Sequence, residues 1–213
     1  STTGAITPST STPGSNVISY TIATAGGCSP VVTTTSVVIN PIPVATATAS
    51  ANTICTLSST NIVLTSDLVG TTYNWTVIQT NVTGATNGSG ASINQILTNS
   101  SFTSGTVDYQ ITPTANGCSG NAIQSTITVN PKPDVIANPA TQNICTGQST
   151  SINLSGNVAG TSYNWTVTQV DVLGASAGSG NSITQILNTN STNFGIANYT
   201  ITPTANNCLG NPI

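Results

Sequence analysis

Apolar and polar residues alternate along this chain in short runs, with Val, Ile, Leu and Ala set against Thr, Ser and Asn. Alternation of period two marks a strand with one buried face, and no stretch carries the 3.6-residue period of an amphipathic helix. Between residues 44 and 130 the pattern predicts strands at "TATAS" (46–50), "NIVLTS" (61–66), "TYNWTVIQ" (72–79), "SINQIL" (92–97) and "TVDYQITPT" (106–114). In the third strand Tyr73, Trp75 and Val77 share one face, while Asn74 and Thr76 share the other. "TGATNGSG" (83–90) reads as a glycine-rich loop, and Asn116–Gly117 marks a hairpin turn before a last strand in "AIQSTITVN" (122–130). Short strands at this density, without a helical segment, predict a β-sandwich.

The pattern then recurs. Cys28, Cys118 and Cys208 stand 90 residues apart, as do Cys55 and Cys145, Trp75 and Trp165, and Tyr73 and Tyr163. Residues 71–99 and 161–189 share 18 identities in 29 ungapped positions. Self-similarity at a fixed period is the signature of tandem domains. The joints fall at "NPIP" (40–43) and "NPKP" (130–133), where proline removes backbone donors and stiffens the connection. Three units result: 1–40, the C-terminal part of a sandwich; 44–130, a complete sandwich; and 134–213, a sandwich lacking its last strand. These bounds suggest a window from a longer array.

Composition narrows the chemistry. The 213 residues include one basic residue, four acidic ones and no His, so that 2% are charged. Solubility must come from hydroxyls and amides, since no apolar run approaches the roughly 20 residues of a membrane-spanning helix. General acid–base work would fall to Asp67, Asp108, Asp134, Asp171 or Lys132, all widely separated in sequence, and no His is present to activate a Ser or Thr nucleophile. Neither zinc-ligand spacing nor a multi-carboxylate calcium loop occurs. One Lys cannot neutralise a nucleic-acid backbone. The expectation is a non-enzyme with no cofactor, no metal site, no nucleic-acid partner and no membrane span in this segment.

A core Trp within "YNW", a later "GTVDY" strand and an "NGC" hairpin resemble the PKD-like and other immunoglobulin-like repeats of Bacteroidota surface proteins. The resemblance implies an all-β fold of tandem immunoglobulin-like (PKD-like) β-sandwich domains, arranged as an extended rod. It also implies export in large secreted proteins of adhesin and gliding-motility type. Typical PKD domains follow the Trp with an acidic, glycine-containing turn, whereas here "YNWTVIQ" continues as strand.

Several features carry a functional and a structural reading. Trp75 and Trp165 could stack on sugars, but their place between Tyr and Val on one strand face assigns them to the core. Tyr109 and Tyr199 suit a hydroxyl that pins a connection. Thr-rich runs such as "VATATAS" (44–50) and "VVTTTSVVIN" (31–40) fit solvated strand faces better than an ice-binding array. Asn-x-Ser/Thr triplets at Asn74, Asn99, Asn164 and Asn190 are expected from composition alone. Lys132 lies in a joint, not in a core where a Lys–Asn crosslink would form, and Pro133 behind it shields the single basic site from trypsin-like proteases.

The cysteines, with no CxxC among them, point to an oxidising compartment. They admit three pairings. Pairing within domains gives Cys55–Cys118 and Cys145–Cys208 and leaves Cys28 unpaired within the fragment. Pairing across joints gives Cys28–Cys55 and Cys118–Cys145. A third scheme joins Cys55 to Cys208. Loop entropy does not separate the first two, at about 4 against about 3.5 kcal/mol. The intradomain scheme is favoured because each complete unit carries one cysteine of each kind, provided that the first cysteine lies alongside the last strand.

The function expected is a non-catalytic structural region, an extracellular stalk or fibre of a bacterial surface adhesin, with neighbouring repeats of the same chain as its partners. A self-assembling filament, with other copies as partners, and a carbohydrate-binding module, with surface glycans as ligands, are the alternatives.

Overall fold

A computed structural model describes residues 7–23, 26–27 and 29–213. Cys28 lies outside the described residues. Apart from one 3-10 turn at Pro8–Thr10, every regular element among them is a strand. The all-β expectation holds.

The first two strands, β1 (Gly14–Ile22) and β2 (Val31–Ile39), pair antiparallel over their whole length. A sandwich follows, made of β3 (Ala45–Ala49), β4 (Thr53–Cys55), β5 (Ser58–Ser59), β6 (Ile62–Ser66), β7 (Thr72–Thr80), β8 (Gly88–Ser89), β9 (Ser92–Ile93), β10 (Ile96–Leu97), β11 (Gly105–Ala115), β12 (Cys118–Ser119) and β13 (Ile123–Asn130). One sheet runs β3-β6-β9, and the facing sheet runs β4-β13-β11-β7-β8, with β12 paired to the end of β11. Ile62, Leu64 and Ile93 from the first sheet meet Tyr73, Trp75, Val107, Tyr109, Ile111, Ile127 and Val129 from the second. In β7, Tyr73 and Trp75 are buried and Asn74 and Thr76 exposed, as period-two alternation requires.

The predicted strand "SINQIL" is two. β9 pairs with β6, while β10 pairs with β5 in a separate two-stranded ribbon. The break falls at Asn94–Gln95, where the Gln95 backbone N–H donates to Thr60 Oγ1 and the Thr60 N–H donates to Gln95 O. The short β4 was not predicted at all.

The second sandwich repeats the plan with β14 (Ile136–Asn138), β15 (Gln148–Ser149), β16 (Ile152–Ser155), β17 (Ser162–Val170), β18 (Gly178–Ser179), β19 (Ser182–Ile183), β20 (Ile186–Leu187), β21 (Ile196–Ala205) and β22 (Cys208–Leu209). Its sheets run β14-β16-β19 and β18-β17-β21-β22. Register is preserved across the period: Trp75 faces Ile111, and Trp165 faces Ile201. Beyond its short hairpin partner β22, the far edge of β21 pairs with Ile213 alone among the described residues, at the place where β11 meets β13.

Candidate functional site: the joint between repeats

The side chains singled out in the sequence divide into those that build the sandwich and those that meet at its ends. Trp75 and Trp165 build it. They are buried, and each indole N–H donates to a carbonyl of the glycine-rich loop, Trp75 to Thr86 O (3.1 Å) and Trp165 to Ser176 O (3.2 Å). The loop lies so close that a Cβ on Gly88 would stand 2.7 Å from the Trp75 ring, and one on Gly178 would stand 2.8 Å from that of Trp165. Neither Trp offers a face to a sugar.

Tyr109 and Tyr199 act as the sequence suggested. Tyr109 Oη donates to Gln95 Oε1 (3.0 Å) and Tyr199 Oη to Gln185 Oε1 (2.8 Å). The same glutamines donate back to the loop at Thr86 O and Ser176 O. Strand, turn and loop are thus tied through one amide in each repeat. Burial disfavours the phenolate and pushes both tyrosines above their ordinary range.

The acidic residues do not converge. Asp67 Oδ1 accepts the Val44 N–H (2.8 Å), which holds its carboxyl below the usual range. One period on, the roles reverse, and Asp134 accepts the backbone N–H of Asn157 (2.6 Å). Asp108 accepts Thr126 Oγ1 across two strands. Among the described residues no three His, Cys, Asp or Glu side chains form a group that could hold a metal ion. Among the described residues no helix is long and apolar enough to cross a membrane. Asn99 is no glycan acceptor in this fold: it is buried, and its amide donates to Thr103 O and Val129 O.

What does converge is the joint. β13 ends at buried Asn130, whose Oδ1 accepts Ser104 Oγ (2.7 Å) and whose Nδ2 crosses to the second sandwich to donate to Asn206 O (3.1 Å). Asn206 and Asn207 form the tip of the hairpin between β21 and β22, in the left-handed region that Asn tolerates (φ 50° and 62°). Lys132 reaches from the connection to Asn211 Oδ1 (2.6 Å). Beside these contacts Cys55 of the first sandwich is bonded to Cys208 of the second, with the two Cα atoms 5.6 Å apart.

That bond corrects the favoured pairing. Cys55 does lie alongside the last strand, since β4 runs parallel to β13 with Cys55 opposite Asn130. It lies at the wrong end, however. The hairpin that carries Cys118 precedes Ile123, and the seven steps to Asn130 span about 24 Å at strand rise. A disulfide needs Cα atoms within about 7 Å. Cys55–Cys118 therefore cannot close, and Cys208 is taken, so Cys145–Cys208 does not form either. Cys118 and Cys145 are free thiols, which also excludes Cys118–Cys145. The third scheme is the one present.

The preceding joint has the same build. Asn40 Nδ2 donates to Asn116 O (2.9 Å), as Asn130 does to Asn206, and Cys118 Sγ lies 3.8 Å from Asn40 O. A Cβ on Gly120 would stand 2.1 Å from Pro43 O, and one on Gly210 would stand 2.1 Å from Pro133 O. The backbone carbonyl of Pro43 thus lies close against Gly120, and that of Pro133 against Gly210, just past the hairpin of the sandwich each joint opens.

No curated protein matches the chain. The sequence profile of the PKD-like domain matches residues 52–133 and again 142–213, well over half of the 213 residues. With the sandwich and its 90-residue repetition established independently, these two consecutive matches place the chain in the PKD-like domain family.

Proposed function

We propose that this chain is a non-catalytic, load-bearing stretch of an extracellular stalk or fibre, divided at residues 40–43 and 130–133 into sandwiches set end to end. One observation carries the reading: the joint at 130–133 is bridged by Cys55–Cys208 as well as by Asn130 and Lys132, so successive repeats are fixed and not merely tethered. Domains joined by flexible linkers move relative to one another by default, and a covalent bridge beside the linker removes most of that freedom. A bond of this kind persists outside the reducing cytosol, which fits a secreted protein at the cell surface. The repeated proline–hairpin packing supports stiffness at both joints. The carbohydrate-binding alternative, which would use exposed Asn, Thr and Tyr side chains, gains no exposed aromatic cluster from Trp75 and Trp165, both of which are buried.

Small-angle scattering of the 213-residue chain tests the reading. The oxidised protein is expected to give a narrow, extended distance distribution that broadens when Cys55→Ser removes the bridge. An oxidised chain already as broad as the variant would overturn it.

A further inference from the structure

Cys118 and Cys145 are the two free thiols among the described cysteines, and each is the 90-residue counterpart of a bonded one: Cys118 of Cys208, and Cys145 of Cys55. The surroundings of Cys145 also differ from those of Cys55 in one specific way. Cys55 sits in β4, held against β13, with the Thr56 N–H donating to Asn130 O. Cys145 belongs to no strand and is exposed beside an open cleft of about 740 Å³ lined by Ile144, Ile152, Leu187, Tyr199 and Ile201. Of their counterparts in the first sandwich, Ile62, Leu97, Tyr109 and Ile111 are fully buried and Ile54 partly so, and β13 completes that core with Ile127 and Val129. One residue already pairs along the far edge of β21. Ile213 exchanges both backbone hydrogen bonds with Ile201 (2.9 and 3.1 Å), in the register in which Ile123 meets Ile111.

We propose that the cleft and Cys145 together form the docking site for a following repeat of this same kind on the same polypeptide. A strand like β13 fills the cleft and pairs with β21. Its joint then presents the next hairpin, whose cysteine bonds to Cys145 as Cys208 bonds to Cys55. At the other end Cys118, lying against Asn40 as the preceding joint requires, takes the first cysteine of a preceding repeat. The resulting bridges overlap, because Cys145 lies between the bonded Cys55 and Cys208. Every joint would carry one bridge, and no hairpin cysteine would pair within its own sandwich.

The chemistry needs an oxidant, here a low-molecular-weight disulfide such as oxidised glutathione. One thiolate attacks it, forming a mixed disulfide and releasing one reduced thiol. The second protein thiolate displaces the other glutathione, so that two electrons and two protons leave with two reduced thiols.

The inference rests on the array reading of the previous subsection, and the test keeps the two apart. A second copy of residues 124–213 is appended directly after Ile213, which preserves the 90-residue period, and the extended chain is folded in a glutathione redox buffer. Disulfides are mapped by mass spectrometry after peptic digestion of the unreduced, alkylated protein. The expected map retains Cys55–Cys208, adds a bond from the original Cys145 to the appended hairpin cysteine, and shows Cys145 alkylation falling to background. Serine at that appended cysteine should restore alkylation of Cys145 while Cys55–Cys208 persists, which reports that the fold is intact. Full alkylation of Cys145 in the extended chain would overturn the proposal, as would its bonding to Cys118 or to a second chain in a concentration-dependent way. Scattering on the same sample reads the array itself. An extended particle with a free Cys145 sinks the docking site alone, and a compact particle with Cys145 bonded sinks the stalk alone.

Discussion

Gly88 is small because of what lies beneath it. The loop from β7 to β9 crosses the Trp75 indole, and the carbonyl of Thr86 accepts the indole proton just before the chain passes over the ring. A methyl at position 88 must push back either the ring or the loop, and the ring is packed in the core. Gly88→Ala is expected to destabilise the first sandwich by about 1–3 kcal/mol, the usual range for overpacking, read as a lower midpoint in urea. Tyr109 sets a second test. Because burial raises its pKa, the folded state holds the phenolic proton more tightly than the unfolded chain does. That contribution is complete below the ordinary tyrosine pKa near 10 and is lost as pH climbs through the raised folded value. Thermal melts between about pH 8 and 11 should therefore show stability falling at the alkaline end. Tyr109→Phe, weaker at neutral pH by about 1 kcal/mol for the lost hydrogen bond, should fall less steeply.

Elements long enough to show their own period were legible in the sequence. β7 and β11 run nine and eleven residues; inward side chains alternate along the whole of β11 and from Tyr73 to Val77 in β7. The hairpin turn at Asn116–Gly117 was equally plain, since both residues take the positive φ that only a few residue types accept readily. The three-residue β4 was not, because three positions cannot establish alternation. Its existence depends on a parallel partner some 75 residues later in the chain. The split of "SINQIL" into β9 and β10 was hidden for a related reason: both halves look like strand, and the cause of the break is Thr60, on another element. The cysteine pairing failed through the same non-local term. Sequence spacing sets loop entropy, but the end of the sandwich at which each cysteine emerges depends on the direction of β4.

At the scale of the whole chain the bridge from Cys55 to Cys208 is the dominant tie, with a sequence separation of 153 residues. Chain-entropy reasoning assigns such a loop about 5 kcal/mol against the unfolded state, so Cys55→Ser should lower the stability of the joined sandwiches well beyond any single side-chain change. Force spectroscopy would read it more directly. When the oxidised chain is pulled from its two ends, most of both sandwiches lies inside the closed loop and bears no tension. Reduction should release roughly 500 Å of additional contour length, the extended reach of that many residues. Equal contour lengths in the two states would show that the bridge is absent in solution.

The same closed loop alters what a broken backbone means. A single peptide cut anywhere between residues 56 and 207 would part an ordinary string of domains into two pieces. Here the pieces on either side of the cut stay covalently joined through Cys55 and Cys208. An exposed loop within that span can therefore be nicked once without loss of continuity, and the nicked chain comes apart there only when the bridge is also reduced.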